Sequence, residues 1–266
     1  MEQPSGLETV LFESGPDHVA TITLNRPAAL NSFNRQMVEE FAQLWQHIRC
    51  NEQIHAVVLR AAPGRAFSTG VDVKDPSFPD PHPNPWVHAD PGEKLSPKAN
   101  RCWKPIVAAV HGMCAGGAFY WINESDIVIC AEDAQFFEPH VTYGMTAALE
   151  PIGMTYRMPL GDVLRMALLG NDERISAATA LRLGLVTEIV PNDQLWERAH
   201  TLAAQIAAKP TAAVQGTVRA IWESLEMPRS MALQAALKYT QIGNPLGMPQ
   251  VDRPSLMGQR KTFDVR

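Results

Sequence analysis

The chain has 266 residues, of which 45% are hydrophobic, and a formal net charge of −5 with a pI near 5.9. This length and apolar content predict a soluble globular protein with a sizeable core, either one α/β domain alone or one domain with an appendage. Lysine and arginine are scattered along the chain, which argues against nucleic acid or an anionic membrane as the main partner. Any anion that binds must be held by a local site.

The N-terminal stretch and the cysteines indicate the compartment. No run of about 18 apolar residues is present, and the first residues lack the basic-then-apolar pattern of an export signal. We therefore predict a cytoplasmic protein without membrane insertion. The four cysteines form no CxxC pair and the eight histidines are dispersed, which predicts reduced, packed thiols and no bound metal.

Strand and helix patterns alternate at the start of the chain. Residues 19–24 alternate β-branched and small side chains, which predicts a strand that ends before Pro27. Asn31 and Ser32 are predicted to cap the next helix, where apolar residues recur at three- and four-residue spacing. The predicted elements are a strand over 19–24, a helix over 34–48 and an apolar strand over 56–62.

The two segments that follow are predicted to lack regular structure. Residues 66–72 form a loop of small side chains that leaves its backbone uncovered. Residues 76–97 contain seven prolines and two histidines. Because proline interrupts both helices and strands, we predict a mobile surface loop or lid there.

One central stretch, residues 104–144, contains the most informative turn. A strand predicted over 105–110 leads into Gly116 and Gly117, and then into a short helix and a strand over 127–130. A strand that ends in glycines and opens a helix exposes backbone N–H groups. Such a turn can hold an anion, or an oxygen on which negative charge develops during a reaction. It lacks the Lys-Ser/Thr pair of a phosphate-binding loop, so nucleotide binding is disfavoured.

The C-terminal part changes from mixed to helical patterns. Its predicted elements are helices over 162–169 and 176–183, a strand over 185–190, and helices over 192–209, 211–227 and 230–241. Strands with helices followed by helices alone predict an α/β (α+β) core over residues 1–191 and a helical region over 192–266.

Four stretches occur together in a characteristic order. They are LNRPAALNSF at 24–33, AFSTGVDV at 66–73, KPIVAAVHGMCAGGAF at 104–119 and AQFFEPHVTYGM at 134–145. In this order and spacing they resemble the crotonase family, the enoyl-CoA hydratase and isomerase superfamily. The resemblance implies a spiral of ββα units with a C-terminal helical region that forms a homotrimer or a dimer of trimers. It also implies an acyl-CoA thioester substrate that carries the CoA, with no separate cofactor.

The resemblance further implies which residues hold the thioester. The N–H groups of Val71 and Gly117 would form an oxyanion hole, and two preorganised donors strongly stabilise the enolate that develops on a thioester. The CoA moiety would lie against the turn at 29–30 and the loop at 66–70, largely through backbone groups. The residues that would contact it are Ala29, Leu30, Ala66, Ser68, Thr69 and Gly70.

The chain departs from the hydratases of that family at the acids. Two glutamates handle water in those enzymes, and the matching positions here are Tyr120 and His140. A tyrosine with a pKa of about 10 is a poor base, whereas histidine titrates near neutral pH. Tyr120 could orient His140, bond the substrate or simply pack beneath it. Glu150 lies in an apolar loop and would have a raised pKa suited to proton transfer, unless it is a solvated loop-tip residue.

These departures favour isomerisation, decarboxylation or other altered enolate chemistry over plain hydration. The candidate catalytic residues are Val71, Gly117, Tyr120, His140 and Glu150. Glu138 and Asp72 are interpreted as supporting residues rather than as groups that transfer protons. The alternative is a catalytically silent acyl-CoA binder or scaffold protein that keeps the glycine loops and lacks the acids.

Overall fold

The structure, a computed structural model, describes residues 4–76, 85–87, 89–258, 263 and 265. The chain forms two compact units that divide between Ala207 and Ala208. The strands are β1 (Val10–Ser14), β2 (Val19–Leu24), β3 (Ala56–Ala61), β4 (Ala66–Ser68), β5 (Ile106–Val110), β6 (Met113–Ala115), β7 (Ile127–Ala131), β8 (Gln135–Phe137), β9 (Ile175–Ser176) and β10 (Glu188–Val190). The α-helices are α1 (Arg35–Cys50), α2 (Gly92–Leu95), α3 (Phe119–Glu124), α4 (Leu149–Met154), α5 (Leu160–Leu169), α6 (Ala177–Leu183), α7 (Leu195–Ala207), α8 (Thr211–Ser224), α9 (Arg229–Gly247) and α10 (Arg253–Gly258).

The larger sheet of the first unit has the strand order β1-β2-β3-β5-β7-β10. Its neighbours are parallel except for the antiparallel pair β1 and β2. The central strands are runs of β-branched and small apolar residues, because a parallel sheet is covered on both faces. One face packs against α1 and the other against α7. The predicted strand over 19–24 is confirmed, and those over 56–62 and 105–110 differ from β3 and β5 by one residue.

The smaller sheet, in the order β4-β6-β8-β9, carries the candidate site. Each of β4, β6 and β8 directly follows a strand of the larger sheet in the chain, and a helix comes next. This is the ββα repeat that the family resemblance implied. The prediction of a loop throughout residues 66–72 was wrong at β4, because a strand of three residues is too short to show an alternating pattern.

Helix α1 begins three residues after its first predicted cap. The Asn34 side chain accepts a hydrogen bond from the Met37 amide at 3.0 Å and is the N-cap. Asn31 instead has φ +51° and donates its side-chain amide to the Ala66 carbonyl at 2.9 Å. The prediction that Asn31 and Ser32 cap this helix was therefore wrong, since Asn31 stabilises the preceding turn.

The proline-rich segment lies partly outside the described residues. The undescribed part includes both histidines of the segment, His82 and His88. The described part contains α2, with Gly92 and Leu95 buried, so the prediction that it lacks regular structure was wrong there. The Trp45 indole N–H donates to the Leu95 carbonyl at 2.8 Å, which ties this end of the segment to α1.

The cysteines are free thiols, as predicted. Three of them are buried in the first unit: Cys102, Cys114 and Cys130. Cys50 is exposed because it is the last residue of α1, so the prediction that it is packed was wrong.

The predicted C-terminal region is helical, and its first helix belongs to the first unit. Helix α7 contacts β3 and β5, so the second compact unit begins only at Ala208, whereas the sequence placed the helical region from residue 192. Within the second unit, α8 and α9 pack against each other. Trimer formation through this region stays a prediction. None of the helices in the described residues combines the length and apolar character that a membrane crossing requires.

Candidate active site

The candidate oxyanion hole lies where β4 and β6 end side by side. Gly70 follows β4 with φ +83°, and a Cβ built on it would lie 2.8 Å from the Gly117 backbone nitrogen. Only glycine adopts this conformation readily and allows such a close approach. The two segments that the sequence predicted to cooperate are therefore in contact, and they bring the amides of Val71 and Gly117 to one corner of the small sheet.

The backbone around Val71 is held by paired hydrogen bonds. The Phe33 amide donates to the Gly70 carbonyl at 2.8 Å, and the Asp72 amide donates to the Phe33 carbonyl at 2.8 Å. Among the loop and turn hydrogen bonds of the described residues, neither the Val71 amide nor the Gly117 amide is a donor. That these two N–H groups form an oxyanion hole stays a prediction.

The Asp72 side chain fixes the same loop, as the sequence predicted. It forms an ion pair with Arg26 at 2.8 Å and accepts a hydrogen bond from the Lys74 amide at 3.1 Å. Arg26 in turn precedes the turn that contains Ala29 and Leu30. The interpretation of Asp72 as a supporting residue is confirmed.

The two segments predicted to contact CoA are adjacent. The turn that contains Ala29 ends at Leu30, which has φ +54°, and the Asn31 side chain joins this turn to the Ala66 carbonyl. Ala66 and Ser68 are buried in β4, and the Ser68 hydroxyl accepts from the Gly70 amide at 3.2 Å. Contact with CoA through Ala29, Leu30, Ala66, Ser68, Thr69 and Gly70 stays a prediction.

Glu138 and His140 form a buried pair directly after β8. Glu138 is fully buried; its Oε1 pairs with His140 Nδ1 and accepts from the His140 amide at 3.2 Å. The hydrogen bond that the His140 imidazole donates to Glu138 raises the pKa of His140, although burial opposes this. Glu138 therefore holds the imidazole with its Nε2 free for another partner. The sequence left open whether Tyr120 orients His140, and in the structure it is Glu138 that pairs with the imidazole.

Glu150 supplies a second acid–base group next to His140. Only 5% of the residue is exposed, so it is not a solvated loop-tip glutamate. Its Oε1 lies 4.0 Å from His140 Nε2. Burial raises the pKa of the Glu150 carboxyl, and the negative charge of Glu138 raises it further. A carboxyl with a raised pKa is suited to accept and return protons near neutral pH.

The Tyr120 hydroxyl is bound by an acid from the proline-rich segment. The hydroxyl donates to Asp90 Oδ2 at 3.1 Å. Burial, together with the charges of Glu150 and Asp90, raises the pKa of Tyr120. Tyr120 is therefore a hydrogen-bonding group and not a base.

The acid–base group lies beside the glycine turn at residues 116–117. This group consists of Tyr120, Glu138, His140 and Glu150. A Cβ built on Gly116 would lie 3.6 Å from His140 Cε1. A Cβ built on Gly117 would lie 3.4 Å from Tyr120 Cε2 and 2.6 Å from Phe33 Cε1. His140 therefore lies against Gly116, and the Tyr120 ring lies against Gly117.

The spacing of three of these side chains also meets a requirement of metal sites. One ligand atom each from Glu138, His140 and Glu150 lie within 4.8 Å of one another. The pairing of His140 Nδ1 with Glu138 is by itself an ordinary acid–base contact. That the protein binds no metal stays a prediction.

Sequence reasoning missed Asp90, which was one acid among several in the proline-rich segment. Glu138 was interpreted as a supporting residue, and its contacts with His140 agree with that interpretation. The one available signal for Asp90 was the motif Asp-Pro-Gly, which is typical of a local turn and says nothing about Tyr120.

The ββα fold and the contact between the two glycine segments are features that the family resemblance implied. The family model described as enoyl-CoA hydratase/isomerase matches residues 14–242, so the chain belongs to the enoyl-CoA hydratase/isomerase family.

Similar proteins agree with this family assignment. The (E)-benzylidenesuccinyl-CoA hydratase of Thauera aromatica is 32% identical over 228 residues, covering 85% of this chain and 86% of the relative. The mitochondrial Delta(3,5)-Delta(2,4)-dienoyl-CoA isomerase of Rattus norvegicus is 32% identical over 226 residues, with 79% and 67% covered. The crystal structure of an enoyl-CoA hydratase/isomerase from Mycobacterium paratuberculosis superimposes with a TM-score of 0.80 at 36% identity, covering 89% of this chain and 90% of that chain.

Proposed function

We propose that this enzyme moves a carbon–carbon double bond of an unsaturated acyl-CoA thioester by proton transfer through a thioester enolate. One observation carries the proposal. His140 packs against Gly116 of the oxyanion turn, and its Nε2 faces the Glu150 carboxyl at 4.0 Å. Two groups that exchange protons near neutral pH therefore flank the place where the thioester carbonyl would lie.

The oxyanion turn would bind the thioester carbonyl oxygen through the amides of Val71 and Gly117. As a base removes a proton from the α-carbon, the electron pair of the C–H bond moves toward the carbonyl and charge develops on its oxygen. Preorganised donors lower this barrier because they need no reorientation during the reaction; removal of one such donor costs about 3–4 kcal/mol.

Glu150 and His140 would share the proton transfers. Glu150 accepts the α-proton of a β,γ-unsaturated acyl group, which gives a dienolate delocalised over the oxygen and the α- and γ-carbons. His140, kept protonated by Glu138, returns a proton to the γ-carbon, and the double bond then lies between the α- and β-carbons. Proton exchange between the two side chains restores the resting state. No atom is gained or lost.

Hydration and decarboxylation are the competing reactions. The name of the Thauera aromatica relative is that of a hydratase and the name of the rat relative is that of an isomerase, so both reactions belong in the test. Hydration requires a group to deprotonate water at the positions of Tyr120 and His140. The raised pKa of Tyr120 removes one of these, which supports isomerisation.

The test measures three reactions with one enzyme preparation. β,γ-Enoyl-CoA isomerisation, crotonyl-CoA hydration and decarboxylation of a malonyl-type CoA are compared by kcat/KM, together with exchange of the α-proton in deuterated water. We expect isomerisation and exchange to dominate. Glu150→Gln should abolish both, whereas the exposed control Glu132→Gln should retain them.

The silent-binder alternative gives a different result. Calorimetry would then show binding of CoA thioesters without exchange or turnover. Hydration that exceeds isomerisation and that survives Glu150→Gln and His140→Ala would overturn the proposal.

A further inference from the structure

The Phe33 backbone is hydrogen-bonded on both sides of Val71. The Phe33 amide donates to the Gly70 carbonyl at 2.8 Å, and the Asp72 amide donates to the Phe33 carbonyl at 2.8 Å. The Gly70 carbonyl and the Val71 N–H belong to one planar trans peptide unit, so they point in opposite directions. Because the carbonyl points at the Phe33 amide, the Val71 N–H is directed away from Phe33.

The Phe33 side chain reaches the second predicted donor. A Cβ built on Gly117 would lie 2.6 Å from Phe33 Cε1 and 2.7 Å from Phe33 Cζ, so the ring edge occupies the space that a side chain at Gly117 would need. The Phe33 ring centroid lies 6.4 Å from that of Tyr120 and 5.8 Å from that of Trp121, and only 1% of Phe33 is exposed. Since the ring is enclosed on these sides, it limits how far the Gly117 backbone can move toward it.

The chain on either side of Phe33 is fixed as well. The Asn31 side-chain amide donates to the Ala66 carbonyl of β4 at 2.9 Å. Asn34, the next residue after Phe33, is the N-cap of α1, a helix of 16 residues. Phe33 therefore lies between a turn that is attached to β4 and the start of a long helix, and its backbone and ring form one rigid support.

We propose that Phe33 is a positioning residue for the reaction: its backbone orients the Val71 amide, and its ring sets where the Gly117 amide lies relative to it. The inference rests on the proposed function, in which these two amides hold the thioester oxygen. Two donors stabilise one developing charge only when both aim at the same point, about 2.7–3.1 Å away. Phe33 transfers no proton and acts through the two amides.

Phe33→Leu removes the ring edge and keeps the backbone. Leucine is too short to reach the positions of Cε1 and Cζ, so the support against Gly117 is lost while the backbone hydrogen bonds remain. Phe33→Met is made alongside it, because methionine leaves a smaller cavity but replaces the rigid ring with a flexible chain. The matched control is Phe41→Leu, since Phe41 is also buried and packs against the same Trp121 ring, at 5.0 Å between centroids.

The first readout is enolate binding, which does not depend on the reaction that the enzyme catalyses. A β-ketoacyl-CoA thioester forms an enolate that absorbs in the near ultraviolet, and an oxyanion hole favours this form over the keto form. A pH titration of the bound thioester gives its pKa, which should lie below that of the free thioester. Both Phe33 variants should raise this pKa by about one unit, a tenfold loss of enolate preference, and Phe41→Leu should leave it unchanged.

The second readout is the kinetics of isomerisation. In both Phe33 variants kcat should fall about tenfold while KM stays within twofold, because the thioester oxygen gains most of its charge in the transition state. Phe41→Leu should lower the melting temperature about as much as Phe33→Leu and leave kcat unchanged. A residue that only supports the fold would change the melting temperature alone.

A double-mutant cycle tests the contact between the ring and the glycine. Gly117→Ala places a methyl group against the Phe33 ring and should lower kcat about 10²-fold. In the Phe33→Leu background the ring edge is gone, so the same change at Gly117 should lower kcat less than tenfold. Interacting residues give such non-additive effects, and independent ones do not.

Three results would overturn the inference. They are additive effects in the cycle, an enolate pKa that Phe33→Leu shifts no more than Phe41→Leu does, and a parent enzyme that does not favour the enolate. A loss of enolate preference in Phe33→Leu, in an enzyme that shows no isomerisation, would support the inference and count against the proposed function alone.

Discussion

The oxyanion turn and the acid–base group are neighbours built by different means. The turn consists of backbone, and its geometry depends on the absence of side chains at Gly70 and Gly117. The acid–base group consists of side chains that the strands and helices merely present. A change in the first must disturb the backbone, whereas a change in the second leaves it intact. The two regions can therefore be altered separately by mutation.

Gly70→Ala should have the largest effect, because it disturbs the backbone of the oxyanion turn. At φ +83° a side chain is strained, and its Cβ would lie 2.8 Å from the Gly117 nitrogen. We expect kcat to fall about 10²–10³-fold, as for loss of an oxyanion donor. Steady-state kinetics and α-proton exchange measure this.

The control for Gly70→Ala separates the strain of a positive φ from the close contact with Gly117. Gly6 has φ +78°, and no heavy atom lies within 4 Å of a Cβ built on it, so Gly6→Ala carries the conformational cost alone. It should destabilise by about 1 kcal/mol and leave kcat unchanged. Equal losses of activity in the two variants would contradict the backbone argument.

Glu150→Gln should separate function from stability. Without a base, kcat should fall about 10²–10⁴-fold. Because burial raises the pKa of Glu150 in the folded state, stability is greatest below the ordinary glutamate value and falls as pH rises through the raised one. Glutamine does not ionise, so the Glu150→Gln variant does not lose stability in this way as pH rises.

Melting temperatures at several pH values check the sign. Glu150→Gln should melt above the parent at pH 8, and the difference should shrink toward pH 4; a protein of this size shifts about 2–4 °C per kcal/mol. A parent that is more stable than the variant at pH 8 would show that the ionised carboxylate is well accommodated.

The same division explains what could be predicted from sequence. The glycine turn was predictable because a strand that ends in glycines has few structural solutions, and the matching loop at Gly70 has the same signature. The strands β2, β3, β5 and β7 are apolar runs whose pattern is plain. The short strands of the small sheet were missed, because three residues cannot display a period.

The acid–base group was only partly predictable. His140 lies in one of the four recognised stretches, Tyr120 directly follows another, and Glu150 was found one loop further on. The structure brings His140 and Glu150 together. Asp90 comes from a segment without periodicity and is 30 residues from Tyr120 in the chain. Its partner depends on how that segment folds back, which local sequence does not encode.

Glu138→Gln should have an intermediate effect. The hydrogen bond that His140 donates to Glu138 raises the pKa of His140, so the stabilisation from this pair is complete below about pH 6.5 and is lost as pH rises through the raised value. The variant should lose more stability at pH 6 than at pH 9. Its kcat should fall about tenfold. The limb of the kcat–pH profile that is assigned to His140 should lie at lower pH than in the parent.

An NMR titration of His140 gives the direct measurement for Glu138→Gln. The imidazole signals should titrate at lower pH than in the parent. An unmoved His140 would mean that Glu138 supports the fold without tuning the imidazole.

Ser96→Ala should have the smallest effect, because it touches only the attachment of the Asp90 segment. Its hydroxyl donates to the Tyr120 carbonyl at 3.1 Å, and loss of one such bond costs about 0.5–1.5 kcal/mol. Ser224→Ala, which removes an exposed serine bond to the Ile221 carbonyl, is the control and should cost less.

Kinetics of Ser96→Ala decide how tightly the two regions are coupled. If α3 alone fixes Tyr120, kcat and its pH profile stay within twofold of the parent while the melting temperature falls. If the anchored segment must hold Asp90 against the Tyr120 hydroxyl, kcat falls by more than twofold and its pH profile changes. The second result would extend the acid–base group to the backbone beneath it. The contrast with the oxyanion turn would then be one of degree, since both regions would depend on how closely two backbone segments approach.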